Sequence, residues 1–138
     1  MKRILIIDDE SQIRSMLRLM LEREGYEVIE APDGIEGIRH YRQTPADLII
    51  TDLIMPHKDG IGMIIELKKE YPDVKIIAMS GGGLNKPDGY LKGAQKLGAS
   101  RTLVKPIDRE EMLRAVKDIL KGKSEPEEQE LAGPENSE

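Results

Sequence analysis

Three consecutive aliphatic residues, Leu48, Ile49 and Ile50, followed within two positions by an acid, Asp52, constrain this chain more than any other stretch. A run that is apolar on both sides of its pleat belongs to a strand covered on both faces, the usual condition of a parallel sheet. A carboxylate at the carboxyl end of such a strand stands in the crevice where open α/β sheets hold their ligands. Taken alone, Asp52 could equally cap the next helix or open a turn.

The remainder of the chain alternates in the same sense. Residues 3–7 (RILII) read as a first strand with Asp8, Asp9 and Glu10 at its tip. Ile13, Met16, Leu17, Met20 and Leu21 recur at helical spacing, and Gly25 ends that helix. Residues 27–31 form a short strand near an edge, and Asp33 with Glu36 three residues on marks a helix start whose inner face Ile35 and Ile38 supply. Pro45 closes the connection. Beyond the central strand and an MPHKDG turn, Ile61, Ile64, Ile65 and Leu67 mark a third helix ending near Tyr71 and Pro72.

Residues 74–79 give a fourth strand with Ser80 at its tip. Gly81, Gly82 and Gly83 open a flexible loop into a polar helix over 90–97, broken by Gly93 and closed by Gly98. Residues 100–104 form a fifth strand leading to Lys105 and Pro106. Asp108 and Glu111 repeat the helix-start signature, and Met112, Leu113, Val116, Ile119 and Leu120 pattern a last helix. Five strands alternating with five helices predict an α/β fold, a parallel sheet covered on both faces by right-handed crossovers. A length of 138 residues fits one such domain, over 1–121. From Lys121 onward apolar residues nearly vanish, so residues 122–138 are expected to be a disordered acidic tail.

That tail hides the charge balance of the fold. Residues 125–138 hold six Glu and no Lys or Arg, so residues 1–124 carry 21 basic against 20 acidic side chains. Nothing supplies the basic stripe that phosphate neutralisation needs, and direct nucleic-acid binding is not expected. Cysteine is absent, which excludes disulfides and thiolate metal sites. Four apolar residues followed at once by Asp8 are too few for a signal peptide, and no run approaches a membrane span. A cytoplasmic protein without membrane insertion is the expectation.

A sheet of this kind brings Asp8, Asp9, Asp52, Ser80 and Lys105 to one crevice. Two negative charges about 4 Å apart repel by roughly 4 kcal/mol at an effective dielectric near 20, so three clustered carboxylates stay ionised only with a cation among them. Lys105 supplies one positive charge. The deficit that remains, met by oxygen ligands alone, suits Mg²⁺ completed by water and a phosphoryl oxygen. His40 and His57 read as ordinary solvated residues rather than ligands. A carboxylate beside such a metal can attack a phosphoryl group and become an acyl phosphate. Lys105 and the Ser80 hydroxyl would then serve the oxygens of the transferred group.

These residues resemble the receiver domains of two-component response regulators. The likeness covers about residues 2–121 through ILIIDDE, TDLIMP with Asp59-Gly60, MSG at 79–81, LGA at 97–99 and VKP at 104–106. It implies a doubly wound, flavodoxin-like (βα)5 fold in three layers with strand order 2-1-3-4-5. It implies that Asp52 accepts a phosphoryl group from the phosphohistidine of a sensor histidine kinase or phosphotransfer protein, and that the domain then switches a surface for a downstream protein target. By the same likeness Asp9, Asp52 and the Ile54 backbone carbonyl bind Mg²⁺, Asp8 assists through water, Lys105 and Ser80 contact the phosphoryl group, and the Lys105–Pro106 bond is cis.

Three departures accompany the match. Thr102 stands where the family usually has Tyr or Phe, Ile107 where Phe is common, and the segment from Ser80 to Lys105 looks about three residues longer, the excess falling around 83–88. Thr102 is too small to report by filling an aromatic-sized space, so the Gly81–Gly83 loop and the segment through Tyr90 are expected to carry the switch. Rival readings fit less well. An aspartate-nucleophile phosphatase has a second Asp two residues after the first, where this chain has Ile54, so turnover of an external ester is not expected. A mononucleotide binder needs a first loop that welcomes phosphate, and DDE repels it. Gly122-Lys123-Ser124 lacks the strand and the earlier glycine of a P-loop. An adaptor of the same fold that is no longer phosphorylated would be expected to have lost an acid, and none is lost.

Overall fold

A computed structural model of the chain describes residues 1–55, 60–81 and 88–122. The elements run β1 (Arg3–Ile7), α1 (Ser11–Glu22), β2 (Glu27–Ala31), α2 (Gly34–Gln43), β3 (Leu48–Asp52), α3 (Gly60–Glu70), β4 (Ile76–Ser80), α4 (Asp88–Lys96), β5 (Arg101–Val104) and α5 (Arg109–Leu120). The strands form one parallel sheet in the order β2-β1-β3-β4-β5. This is the doubly wound, flavodoxin-like arrangement expected of the sequence.

Alternation along each strand divides the core in two. Leu5, Ile7, Ile49, Ile76 and Ala78 face α2, α3 and α4, meeting Ile38, Tyr41, Met63, Ile64, Leu67 and Ala94. Ile4, Ile6, Leu48, Ile50, Ile77, Met79 and Leu103 face α1 and α5, meeting Leu17, Leu21, Met112, Ala115, Val116 and Ile119. Both predicted helix-start pairs are capped as read: Asp33 accepts from the Glu36 N–H and Asp108 from the Glu111 N–H, each at 2.9 Å. Gly25 and Gly98 end α1 and α4 at φ +91° and +113°, backbone that side chains with a Cβ rarely adopt. The Lys105–Pro106 bond is cis.

Several expectations are corrected. Ile35 is 56% exposed, and the inner face of α2 is made by Gly34, Gly37, Ile38 and Tyr41. The cause is the closeness of α2 to the sheet, for a Cβ added at Gly37 would collide with the Ile7 side chain. Ile65 is exposed and Met63 takes the buried place on α3, while on α1 Met16 faces outward and Leu17, Met20 and Leu21 face in. The fourth strand is Ile76–Ser80 rather than 74–79, because the Val74 N–H closes the turn after α3 on the Tyr71 carbonyl at 3.0 Å instead of joining the ladder. The fourth helix is Asp88–Lys96, and Gly93 does not break it: its carbonyl accepts from the Leu97 N–H at 3.0 Å.

Positions 56–59 of the MPHKDG turn, the loop at Gly82 and Gly83, the extra length over 83–87 and the tail over 123–138 lie outside the described residues. Among the described residues no helix is long and apolar enough to cross a membrane.

Candidate functional site

Parallel strands end together, so residues that close or follow them converge. Asp8 and Asp9 follow β1, Asp52 is the last residue of β3, Ser80 the last of β4, and Lys105 follows β5. Asp8 and Ser80 are fully buried and Asp52 is 5% exposed, whereas Asp9 is exposed. Carboxylate oxygens of Asp8, Asp9 and Asp52 lie within 4.8 Å of one another. Lys105 Nζ donates to Asp8 Oδ2 at 3.0 Å and lies 3.4 Å from Asp52 Oδ1 and 3.8 Å from Glu10 Oε1. The Lys105 backbone N–H donates to the Ser80 carbonyl at 2.8 Å, which joins the tip of β4 to the residue that carries the cation. Asp8 is held at both oxygens, since its Oδ1 accepts from the Glu10 N–H at 2.9 Å.

The acids differ in surroundings. Burial raises the Asp52 carboxyl from its ordinary 3.8 to about 6; Lys105 pulls against this, and the charges of Asp8 and Asp9 add to it. At Lys105 burial favours the neutral amine, but hydrogen bonding and charge from Asp8 and Asp52 outweigh burial and leave the ammonium above its ordinary value. Asp52 is thus a carboxylate whose ionisation is costly in the metal-free protein. One ammonium against three carboxylates leaves excess negative charge.

An all-oxygen donor set with that excess fits a hard divalent cation such as Mg²⁺. A second feature of the site is a spare donor at the tip of β4. Ser80 Oγ is buried and has no hydrogen-bond partner among the described residues. A buried hydroxyl left unpaired is costly, and a phosphoryl oxygen at the strand tips would satisfy it. Ile54, in the loop after β3, has an exposed side chain. His40 lies in the last turn of α2, at the end of the helix remote from the strand tips, and His57 is outside the described residues.

Sequence reasoning missed one contributor. Arg14 on α1 donates from Nη1 to the Asp8 backbone carbonyl at 2.7 Å and from Nε to Glu30 at 3.0 Å. Its signal was available: Arg14 and Arg18 are four residues apart on one helix face, and Val28 and Glu30 share the strand face beneath them.

A buried acid pair bridged by lysine stands at the tips of a 2-1-3-4-5 parallel sheet, and the family to which the chain belongs follows from its sequence as a whole: residues 4–117 match the response regulator receiver domain. It is a receiver domain of the two-component kind. The chemotaxis protein CheY of Halobacterium salinarum is 32% identical over 119 residues, which cover 86% of this chain and 97% of that protein. A crystal structure of a response regulator receiver domain protein from Clostridium thermocellum superposes with a TM-score of 0.81 at 32% identity, covering 88% of this chain and 95% of that one. Other relatives are longer. A probable transcriptional regulator, ycf27 of Porphyridium aerugineum, is 37% identical over 120 residues, and this chain spans 48% of its length.

Proposed function

We propose that Asp52 accepts a phosphoryl group from the phosphohistidine of a sensor histidine kinase or phosphotransfer protein, in a Mg²⁺-dependent reaction, and that this biases a surface bound by a downstream protein. The observation that carries the reading is Lys105 Nζ set between Asp8 at 3.0 Å and Asp52 at 3.4 Å. Asp9, Asp52 and the Ile54 carbonyl would hold the ion, with Asp8 acting through water. Mg²⁺, when bound, offsets the charge of the carboxylates and of the transferring oxygens.

An Asp52 oxygen attacks phosphorus, a P–O bond forms, and the P–N bond of the phosphohistidine breaks, returning the donor imidazole. Lys105 exchanges its Asp52 contact for a phosphoryl oxygen, and the unpaired Ser80 hydroxyl donates to another. Incubation with acetyl phosphate and Mg²⁺ followed by mass spectrometry tests the reading. The expected result is a labile gain of one phosphoryl group located on Asp52. A chain that stays unmodified under these conditions is an adaptor of the same fold.

The same reading assigns residues 1–121 as the receiver and 122–138 as an acidic tail that neither folding nor transfer requires. Leu131 stands alone among charged and small residues there and offers no apolar face. Truncation after Ser124 should move the melting temperature by no more than a few degrees and leave the rate of phosphoryl uptake unchanged. A larger fall, or a changed rate, would show that the tail docks on the domain.

A further inference from the structure

The Arg14 side chain joins two places that the receiver chemistry does not use directly. Its Nε meets Glu30 Oε1 at 3.0 Å on the edge strand β2, and its Nη1 meets the Asp8 carbonyl oxygen at 2.7 Å. Glu30 is held in turn: its second oxygen pairs with Arg18 Nη1 at 2.5 Å, and Arg18 Nη2 donates to the Val28 carbonyl at 2.9 Å. The Arg14–Glu30 pair is largely buried, with side-chain exposures of 18% and 23%. Salt therefore screens it less than an exposed pair.

The carbonyl that Arg14 grips belongs to the peptide linking Asp8 to Asp9. A peptide unit is planar, so fixing its oxygen fixes the direction in which the Asp9 Cα leaves. The preceding peptide is also fixed, because the Asp8 N–H donates to the Ala31 carbonyl at 3.2 Å. The Asp9 carboxylate itself has no hydrogen-bond partner among the described residues. Its aim comes from the backbone.

We propose that the Arg14–Glu30 pair is a positioning device for the metal-binding loop: Glu30 fixes the guanidinium, the guanidinium fixes the Asp8 carbonyl, and that peptide aims Asp9. The inference rests on reading Asp9 and Asp52 as Mg²⁺ ligands. Charge and positioning predict opposite signs. Removing a cation beside an acidic site would by charge alone tighten Mg²⁺, whereas losing the grip on the loop weakens it.

Calorimetric titration of the full chain with Mg²⁺, paired with hydrogen exchange over residues 8–11 in metal-free protein, separates the two. Arg14→Ala should bind Mg²⁺ about tenfold more weakly, the low end for loss of an outer-shell partner, and exchange faster over 8–11. Arg14→Lys keeps the charge but lacks the planar fork that serves two acceptors, and it should weaken Mg²⁺ as well. Wild-type or tighter binding by Arg14→Ala with an unchanged circular dichroism spectrum overturns the inference. If Arg14→Ala does not fold, Arg14→Lys decides, since its charge is unchanged, and a dissociation constant equal to wild type overturns the inference. If the wild-type chain binds no Mg²⁺, the metal reading fails by itself. Exchange over 8–11 then decides the positioning claim, faster in Arg14→Ala upholding it and unchanged overturning it.

Discussion

Asp52→Asn should take up no phosphoryl group from acetyl phosphate and Mg²⁺, because an amide is neither a comparable nucleophile nor an adequate ligand for the ion. Modification at the wild-type rate would remove Asp52 from the reaction. The same substitution should make the metal-free protein more stable at neutral pH. Burial raises the Asp52 carboxyl from 3.8 to about 6, so the folded chain holds this proton to higher pH than the unfolded chain does. Its stabilising share is fully present below about pH 3.8 and is lost as pH rises through about 6. Two pH units correspond to on the order of 3 kcal/mol. Melting curves of the two proteins without metal should therefore nearly coincide at pH 4 and separate by pH 7, with Asp52→Asn the higher. Superimposable pH profiles would contradict the electrostatics assigned to this carboxylate.

Lys105→Ala should produce the largest loss of stability, and one that Mg²⁺ repairs. The variant leaves fully buried Asp8 and nearly buried Asp52 without their ammonium. Removing one partner of a buried pair costs about 3–5 kcal/mol. For a domain of this size that lowers the metal-free melting temperature by more than about 10 °C. Mg²⁺ replaces the missing positive charge, so it should bind the variant at least as tightly as wild type and raise its melting temperature by more. Uptake of the phosphoryl group should nevertheless fail to produce the usual change of surface, since the group that follows the phosphoryl oxygen is gone. Loss of Mg²⁺ binding in Lys105→Ala would contradict the role given to Lys105.

What the sequence made legible follows from which signals are local. The aliphatic runs that became β1 and β3, the Asp33 and Asp108 caps, and the acids and lysine at the strand tips each show within a few residues. The errors arose where packing between elements decided the outcome. Ile35 read as inward because apolar residues mark inner faces, yet α2 lies so near Ile7 that glycines had to make its inner face. Val74 read as strand because it is apolar and adjoins the aliphatic run, while its N–H serves a turn. The grip of Arg14 on the Asp8 carbonyl spans α1 and the loop after β1, and its anchor Glu30 comes from a third element. No single window contains all three.

Lys105 meets Asp8 across 97 positions of chain. During synthesis the first four strands and their acids therefore emerge before the residue that neutralises them, and a nascent chain ending ahead of β5 lacks the ammonium. The ion pairs of Lys105 with Asp8 and Asp52 wait on completion of the last edge strand. A chain stalled or clipped before that point leaves Asp8 and Asp52 side by side without their cation, so the charge balance of the strand tips is set by the last part of the sheet to be made.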